Sequence, residues 1–221
     1  MKRTERKMAA NSKKDLRVNV VTGVGTACFP HVFESTVSQN DKKEDVYEVM
    51  ILIPKSDTAT IKKITDAAKA VAKDKFGEAW TEANMPLRDG DKEKNLLTED
   101  GTKRGEKYPE RLGHLFFTAR SKRSIPVFDK DHNVITDPGQ VYAGAKIALN
   151  VDLYPYTNKG NMGVGVGLNG VMKVADGEPI GGTGGPRSAE SLFGDVAGLE
   201  DFESDEEKPK KAKKGKKKAK V

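Results

Sequence analysis

The stretch VYEVMILI at residues 46–53 carries the strongest strand signal in the chain. From Tyr47 onward every second residue is apolar and shares one face, while Met50 and Leu52 lie on the opposite face. A short strand that is apolar on both faces is typical of the centre of a sheet. We therefore predict a central strand here, with the rest of the fold arranged around it.

Further strand patterns occur at residues 16–24, 113–120, 146–154 and 163–174. In the segment 146–154 large aliphatic side chains occupy every second position, as in a strand with one buried face. Residues 126–128 are predicted to continue the strand that begins at residue 113. A turn at Asn158–Asn161 predicts that the last two strands form a hairpin.

The connections between these strands are of different kinds. We predict a loop with two apolar anchors at residues 28–33, a polar connection at 35–45 and a loop-rich region at 80–111. From residue 57 to residue 76, apolar residues recur at helical spacing with lysines between them. Ser56 or Asp57 supplies an N-cap, so this segment is predicted to be one amphipathic helix.

About five strands of a glycine-rich, antiparallel kind with one inserted helix predict a small closed or half-closed β-barrel. The helical pattern does not recur between strands, which disfavours an alternating β–α architecture. We predict a mainly β, OB-fold-like domain over residues 16–180. Residues 1–15 are predicted to be a disordered basic N-terminus, and residues 181–221 a disordered linker with an acidic, then lysine-rich tail.

Charge is segregated within this tail. The formal net charge of the chain is +6, but the eight acidic residues of 190–207 are followed by nine lysines in 208–221. The body of the chain is mildly basic, which suits a polyanionic partner without specifying one.

Cofactor and metal sites are disfavoured by the motifs present. Gly23-Val24-Gly25 follows a strand but lacks the third glycine of a dinucleotide fingerprint, and no Walker sequence occurs. Cys28 and His31 have the spacing of half a zinc site, but no second pair follows. We therefore predict no cofactor and no metal. A single cysteine, no long apolar run and no secretory signal favour a cytosolic protein without a membrane partner.

An acidic cluster leaves a catalytic alternative open. Asp129, Asp131 and Asp137 lie near His132 in a turn region, and a metal-dependent nuclease would need such carboxylates to converge on a metal ion. An aspartate-rich turn is the ordinary interpretation. A second alternative is a protein-interaction scaffold that acts through the charged tail.

One predicted strand face has the residue types of a nucleic-acid interface. Lys146, Asn150 and Tyr154 form an outward row, and Tyr156 follows it. Single-strand binders combine a cationic groove with aromatic rings on which bases stack. Residues 120–123 (RSKR) add a basic cluster. On the last strand three glycines share one face, which indicates either barrel curvature or close approach of a ligand.

Eight segments carry a family resemblance: YEVMILIPKSD at 47–57, PLRDGD at 86–91, GHLFFTARSKR at 113–123, ITDP at 135–138, VYAG at 141–144, NVDLYPY at 150–156, GVGLNGV at 165–171 and DGEPIGG at 176–182. In their order and spacing they resemble a family of phage-encoded single-stranded DNA-binding proteins with an OB-fold, formerly a domain of unknown function.

The resemblance implies non-sequence-specific binding and protection of single-stranded DNA (ssDNA) in phage DNA replication, recombination or repair, without enzymatic turnover. It places the protein in the cytoplasm of the infected bacterial host, with replication or recombination proteins as further partners through the tail. The basic and aromatic positions expected to contact DNA are Lys55, Arg88, Lys122, Arg123, Tyr142, Lys146, Tyr154 and Tyr156. Tyr47 and Phe117 are further stacking candidates, and a core position is an equal alternative for each. RNA is a related alternative ligand, because none of these residues is specific for a 2′-hydroxyl group.

The tail departs from a common pattern of single-strand binders, in which an acidic segment with a terminal aromatic ends the chain. Here the acidic segment is internal, and the lysine run follows it. The lysines are expected to pair with the acids, to bind DNA or to recruit another partner, while a solvated tail that aids solubility is the competing explanation.

Overall fold

The computed structural model describes residues 16–38 and 43–181. The predicted N-terminal segment and all of the predicted tail except Gly181 lie outside the described residues. The elements are β1 (Val18–Val21), β2 (Gly25–Val37), β3 (Asp45–Pro54), α1 (Thr58–Phe76), β4 (Arg88–Asp89), α2 (Gly90–Glu93), α3 (Arg104–Lys107), β5 (His114–Ser121), β6 (Val127–Phe128), β7 (Lys146–Asn158) and β8 (Asn161–Ala175). Three short 3-10 helices lie at Gly77–Glu82, Pro109–Arg111 and Pro138–Gln140.

Five strands close into a barrel in the order β7-β2-β3-β5-β8, and β8 pairs back onto β7. This is the five-stranded barrel with one inserted helix that the sequence predicts. One pairing differs from the antiparallel expectation, because β5 and β8 run parallel. The long connection between these two strands permits this direction, whereas a tight hairpin would not.

The predicted central strand is confirmed as β3, which pairs with β2 on one side and with β5 on the other. Strands β1 and β2 lie end to end along the same edge of β7, so they act as one bent strand. Gly25 stands at this bend, where a Cβ atom would lie 2.6 Å from Cγ1 of Ile51. The predicted continuation at 126–128 is also confirmed, since β6 follows β5 along β8.

The predicted loop at 28–33 is wrong, because these residues lie inside β2. The pairing of β2 with β3 shifts register between Cys28 and His31 and again before Thr36. Phe29 has a positive φ of 48°, and Pro30 has no N–H to donate. These irregularities bend the strand and give the segment the local pattern of a loop.

Helix α1 is confirmed, with Asp57 as its N-cap. The Asp57 carboxylate accepts a hydrogen bond from the Thr60 amide at 3.0 Å, and Gly77 is the C-cap of the helix. The helix packs against β1, β7 and β8. No helix among the described residues is long and apolar enough to cross a membrane.

The barrel interior follows the alternation that the sequence predicts. Ile147, Leu149, Val151 and Leu153 of β7 are all fully buried. They meet aliphatic side chains of β3 and the buried face of α1 in one continuous core. Because the inward positions of β7 are occupied in this way, its intervening residues are held on the outer surface.

Candidate nucleic-acid interface

Two tyrosines on the outer face of β7 lie across glycines of β8. In the strand register Tyr154 is opposite Gly165, and Tyr156 is opposite Gly163. A Cβ atom on Gly165 would lie 2.6 Å from Cζ of Tyr154, and one on Gly163 would lie 2.7 Å from the Tyr156 hydroxyl. Any larger residue at these positions would displace the rings. We call these four residues the tyrosine platform.

The tyrosine platform explains the glycine-rich face of β8. Gly163 and Gly165 make room for side chains of the same protein, whereas a Cβ atom on Gly167 would make only ordinary contacts of 3.6 Å or more. Tyr154 is 37% exposed and Tyr156 is 36% exposed. Each ring is therefore supported by the β8 backbone and keeps the accessible surface that base stacking requires.

A cation and a polar network lie beside the tyrosine platform. The guanidinium carbon of Arg17 lies 6.0 Å from the centroid of the Tyr154 ring. The Asn19 side-chain amide donates hydrogen bonds of 2.7 Å to Oδ1 of Asn150 and to Oδ1 of Asp152. These bonds fix β1 against β7 and hold the surface next to the rings in one arrangement.

A cationic groove of about 730 Å³ crosses the outer face of β3 and β5. Residues 97–111 form its other wall. We call it the arginine groove, and its charged and aromatic lining consists of Arg88, Glu99, Arg104, Lys107, Tyr108, Arg111 and Arg120. Five cations and one carboxylate line the groove. Glu48, Glu93 and Asp100 pair with four of these cations, which leaves a small excess of positive charge to attract phosphates.

Arginines and aromatic rings are stacked within the groove. The Arg111 guanidinium carbon lies 3.9 Å from the Tyr108 ring centroid and 5.0 Å from that of Phe116. The guanidinium carbon of Arg88 lies 5.2 Å from the centroid of the same Phe116 ring. Burial lowers the pKa of Arg111, but a guanidinium remains charged at neutral pH. The Nε atom of Arg111 is buried without a hydrogen-bond partner among the described residues, so this stack of arginines and aromatic rings holds a desolvated cation.

Ion pairs hold the remaining cations of the groove in place. Glu93 accepts two hydrogen bonds from Arg88, at 2.6 and 2.7 Å, and one of 2.9 Å from Arg104. Partial burial raises the pKa of Glu93, but the hydrogen bonds and charges of both arginines outweigh it and hold that pKa below its ordinary value. Arg120 pairs with Glu48 at 2.6 Å. The groove is therefore organised before any ligand binds.

The arginine groove and the tyrosine platform adjoin on the barrel surface. In the register Arg120 of β5 lies beside Gly167 of β8, and Gly167 lies opposite Asp152 of β7. Tyr154 is two residues beyond Asp152 on the same outward face. A single strand that leaves the groove at Arg120 would cross the glycine strand and reach the tyrosine rings.

Three aromatic residues suggested by the sequence are unsuited to base stacking. Tyr142 is buried, and its hydroxyl donates to the Gly177 carbonyl at 2.9 Å, which ties the segment after β8 to the barrel. Phe117 points into the barrel and is 2% exposed. Tyr47 is half-buried and packs against the same core. The burial of Tyr142 corrects the expectation of a surface contact, and of the two roles open to Phe117 the structure shows the core one. Sequence alternation alone did not separate core rings from surface rings.

The predicted cations are dispersed over the surface. Arg88 lies in the arginine groove, but Lys55 is engaged by Asp89 and Asp91, at 2.7 Å each. Lys146 donates to the Thr26 hydroxyl at 2.9 Å. Lys122 pairs with Glu44 at 2.6 Å, and Arg123 is exposed just beyond β5. The structure therefore brings Arg88 to the groove and leaves Lys55 in a structural ion pair.

The aspartates of the nuclease alternative serve local turns. Asp129 accepts hydrogen bonds from the amides of Asp131 and Asn133 at 2.8 Å each, and these and the Asn133 side chain hold its pKa below the ordinary value. Asp137 accepts from the Gly139 amide at 2.9 Å. Within residues 16–38 and 43–181, no group of three or more His, Cys, Asp or Glu could hold a metal ion.

The sequence prediction missed most of the arginine groove. Arg104, Lys107, Tyr108 and Arg111 fall within the segment expected only to be loop-rich. A usable signal was present, because residues 102–111 (TKRGEKYPER) combine four cations with an aromatic residue. The pattern did not indicate that this segment folds back over β5.

Comparisons with known proteins identify solved structures with a similar fold. The structure resembles that of the single-stranded DNA-binding protein from bacteriophage Enc34 in complex with ssDNA, with 23% identity and a TM-score of 0.59 over 76% of this chain and 91% of that chain. A second structure of the Enc34 protein gives 20% identity and a TM-score of 0.57 over 81% and 91%. A search of curated protein sequences found no match.

The fold of these two structures is therefore shared by this chain. A family model described as "Enterobacter phage Enc34, ssDNA-binding protein" matches residues 18–205, which is most of the chain. The resemblance seen in the sequence is thereby confirmed, and the chain belongs to the Enc34 ssDNA-binding protein family.

Proposed function

We propose that this protein binds ssDNA without sequence specificity, and that it coats and protects such strands during phage DNA replication, recombination or repair. The observation that carries the proposal is the junction of the arginine groove with the tyrosine platform on one barrel surface. Membership of a family described by ssDNA binding supports it, as does the similar Enc34 structure in complex with ssDNA.

The two parts of the surface supply different kinds of binding energy. Cations of the arginine groove neutralise phosphates and release counterions, so log K falls with log[salt] by about 0.7 per phosphate neutralised on a single strand. Bases stack on the open tyrosine rings, each contributing about 1–3 kcal/mol. Every base offers an aromatic face, and this mode of contact therefore tolerates any sequence.

This mechanism favours single strands over duplexes. In a duplex the bases are stacked on one another, and their faces are unavailable to Tyr154 and Tyr156. Only the electrostatic part of the binding energy remains for duplex DNA. Affinity for duplex should therefore be lower and should depend almost wholly on salt.

The protein acts as a binder without enzymatic turnover or a cofactor in this proposal. The carboxylates of Asp129 and Asp137 are engaged in their own turns, which supports this assignment. Residues 16–180 form the DNA-binding domain, and residues 181–221 recruit replication or recombination proteins. The site of action is the cytoplasm of the infected bacterial host.

A fluorescence titration of the full chain with labelled oligo-dT tests the proposal. We expect tight binding at low salt, weakening along a linear plot of log K against log[salt], and weaker binding to duplex DNA of equal length. No binding at low salt, or tighter binding to the duplex, would refute the proposal. An oligo-U titration in parallel measures the preference for DNA over RNA.

A cleavage assay separates the binder from the nuclease alternative. The protein is incubated with Mg²⁺ and end-labelled single-stranded and duplex DNA, with Asp129→Asn as the matched variant. We expect intact DNA with both proteins. Cleavage by the natural sequence that Asp129→Asn abolishes would identify a nuclease instead.

A further inference from the structure

Phe29 occupies a backbone conformation that phenylalanine rarely adopts. Its φ is +48°, in the left-handed region where the Cβ of an ordinary residue is crowded. Among the described non-glycine residues, Lys43, His132 and Lys159 also have positive φ. Those three are polar residues outside the strands, whereas Phe29 lies within β2 at the bulge against β3.

Burial does not explain why a large aromatic residue stands there. Phe29 is 47% exposed, so much of its ring surface remains in water. It belongs to neither of the two clusters of core residues, although Cys28 beside it does. A glycine at position 29 would adopt the same backbone without steric cost. The strain and the exposure together indicate that the ring has a use outside the core.

The position of the ring links it to the arginine groove. Its centroid lies 6.1 Å from that of Tyr108, with the two ring planes at 86°. Tyr108 lines the groove and carries Arg111 at 3.9 Å from its centroid. Phe29 therefore stands next to the Tyr108 end of the groove, with an edge-to-face contact that fixes the ring orientation.

We propose that Phe29 is a stacking platform for a nucleobase of the bound strand, at the end of the arginine groove. This proposal rests on the proposed ssDNA binding and adds a third aromatic contact to Tyr154 and Tyr156. The bulge in β2 holds the ring out of the sheet, and Tyr108 supports its edge. The backbone strain is the consequence of presenting an aromatic residue at this point.

The decisive variant is Phe29→Gly, because it removes the ring and relieves the positive φ together. Affinity is measured by fluorescence anisotropy for oligo-dT and for an abasic oligonucleotide of equal length. We expect Phe29→Gly to weaken oligo-dT binding by about tenfold, the loss of one stacked base. Binding of the abasic strand should not change, since it offers no base to stack. Phe29→Trp should keep the oligo-dT affinity.

A matched control is available at His132, which has φ of +66° and lies away from the arginine groove. His132→Gly relieves the same kind of strain and should leave both affinities unchanged. The melting temperature of Phe29→Gly should fall by less than about 4 °C, the shift expected for a minor stability change.

Two results would overturn the assignment of Phe29. One is an unchanged oligo-dT affinity of Phe29→Gly, while the natural protein binds oligo-dT. The other is an equal loss for dT and abasic strands together with a large fall in melting temperature, which would make the ring a structural support. If the natural protein binds no oligo-dT, the proposed function itself fails and the role of Phe29 fails with it.

Discussion

The tyrosine platform and the arginine groove are built by opposite means. The platform comes from one hairpin, in which Tyr154 and Gly165 are direct partners in the register of β7 and β8. The groove comes from separate segments, including Arg88 after the helix, Arg111 before β5 and Arg120 near its end. The tyrosine platform thus depends on strand alternation and on glycines, which leave room for the rings. The arginine groove depends on ion pairs and ring stacking between residues that are distant in the sequence.

The two surfaces therefore differ in what holds their side chains in place. On the tyrosine platform the two rings rest on the backbone of β8, so their arrangement changes only when a side chain is added to or removed from the platform. In the arginine groove carboxylates position several of the cations, such as Glu93 for Arg88 and Glu48 for Arg120, whereas Arg111 rests on aromatic rings. Loss of a partner is therefore expected to disturb the groove while the platform remains.

The largest effect is expected from removing both rings of the platform. The variant Tyr154→Ala with Tyr156→Ala loses two stacked bases, about 2–6 kcal/mol or at least 30-fold in affinity for oligo-dT. Anisotropy titration at fixed salt measures it. Tyr142→Phe is the matched control, since Tyr142 is buried and its loss of a hydrogen bond should lower stability by about 1 kcal/mol without affecting affinity. Equal affinity of the double variant would remove these rings from the interface.

The next effect concerns the charge at the centre of the groove. Arg111→Met keeps apolar contact with Tyr108 and Phe116 but removes the cation, and we expect affinity to fall about tenfold, as for one charged contact. The slope of log K against log[salt] should become shallower by about 0.7. A salt series measures both quantities. Lys55→Met is the control, because Lys55 is engaged by two aspartates, and an equal change of slope in that variant would contradict the distinction.

A smaller effect should separate two neighbouring glycines of β8. Gly165→Ala places a Cβ against the Tyr154 ring and should weaken oligo-dT binding about fivefold, a part of one stacking contact. It should also cost about 1–3 kcal/mol of stability through overpacking. Gly167→Ala makes only ordinary contacts of 3.6 Å or more and should leave affinity unchanged. Chemical denaturation and anisotropy titration compare the two, and equal effects would mean that the ring does not depend on Gly165.

The smallest effect concerns acid sensitivity of the groove. The pKa of Glu93 is lowered in the folded state, so its stabilising contribution is present above the unfolded value of about 4.3 and is lost as pH falls through the folded value. Glu93→Gln should therefore be less stable than the natural protein at pH 7, by about 0.5 kcal/mol for a pair partly screened by solvent. Thermal unfolding from pH 7 to pH 3 should show this difference shrinking. A difference that is constant with pH would exclude the carboxylate as its source.

Much of the barrel could be predicted because its signals are local. The buried row of Ile147, Leu149, Val151 and Leu153 follows from alternation, and α1 follows from its cap and helical period. Strand β2 was partly misjudged, since a bulge and a proline produce the same local pattern as a loop. Tyr142 is buried instead of facing DNA, and the choice between core and surface stayed open for Phe117, because an aromatic residue fits either place equally well.

Side chains alternate along a strand with a fixed period of two, so the sequence alone predicts the strand face on which Tyr154 and Tyr156 lie. It also determined the family, through the order and spacing of many weak segments. The position of Gly163 and Gly165 beneath those rings is a property of the folded barrel, as is the groove that residues 97–111 close over β5. Contacts of this kind join residues far apart in the chain, and their geometry depends on barrel closure, which no local pattern encodes.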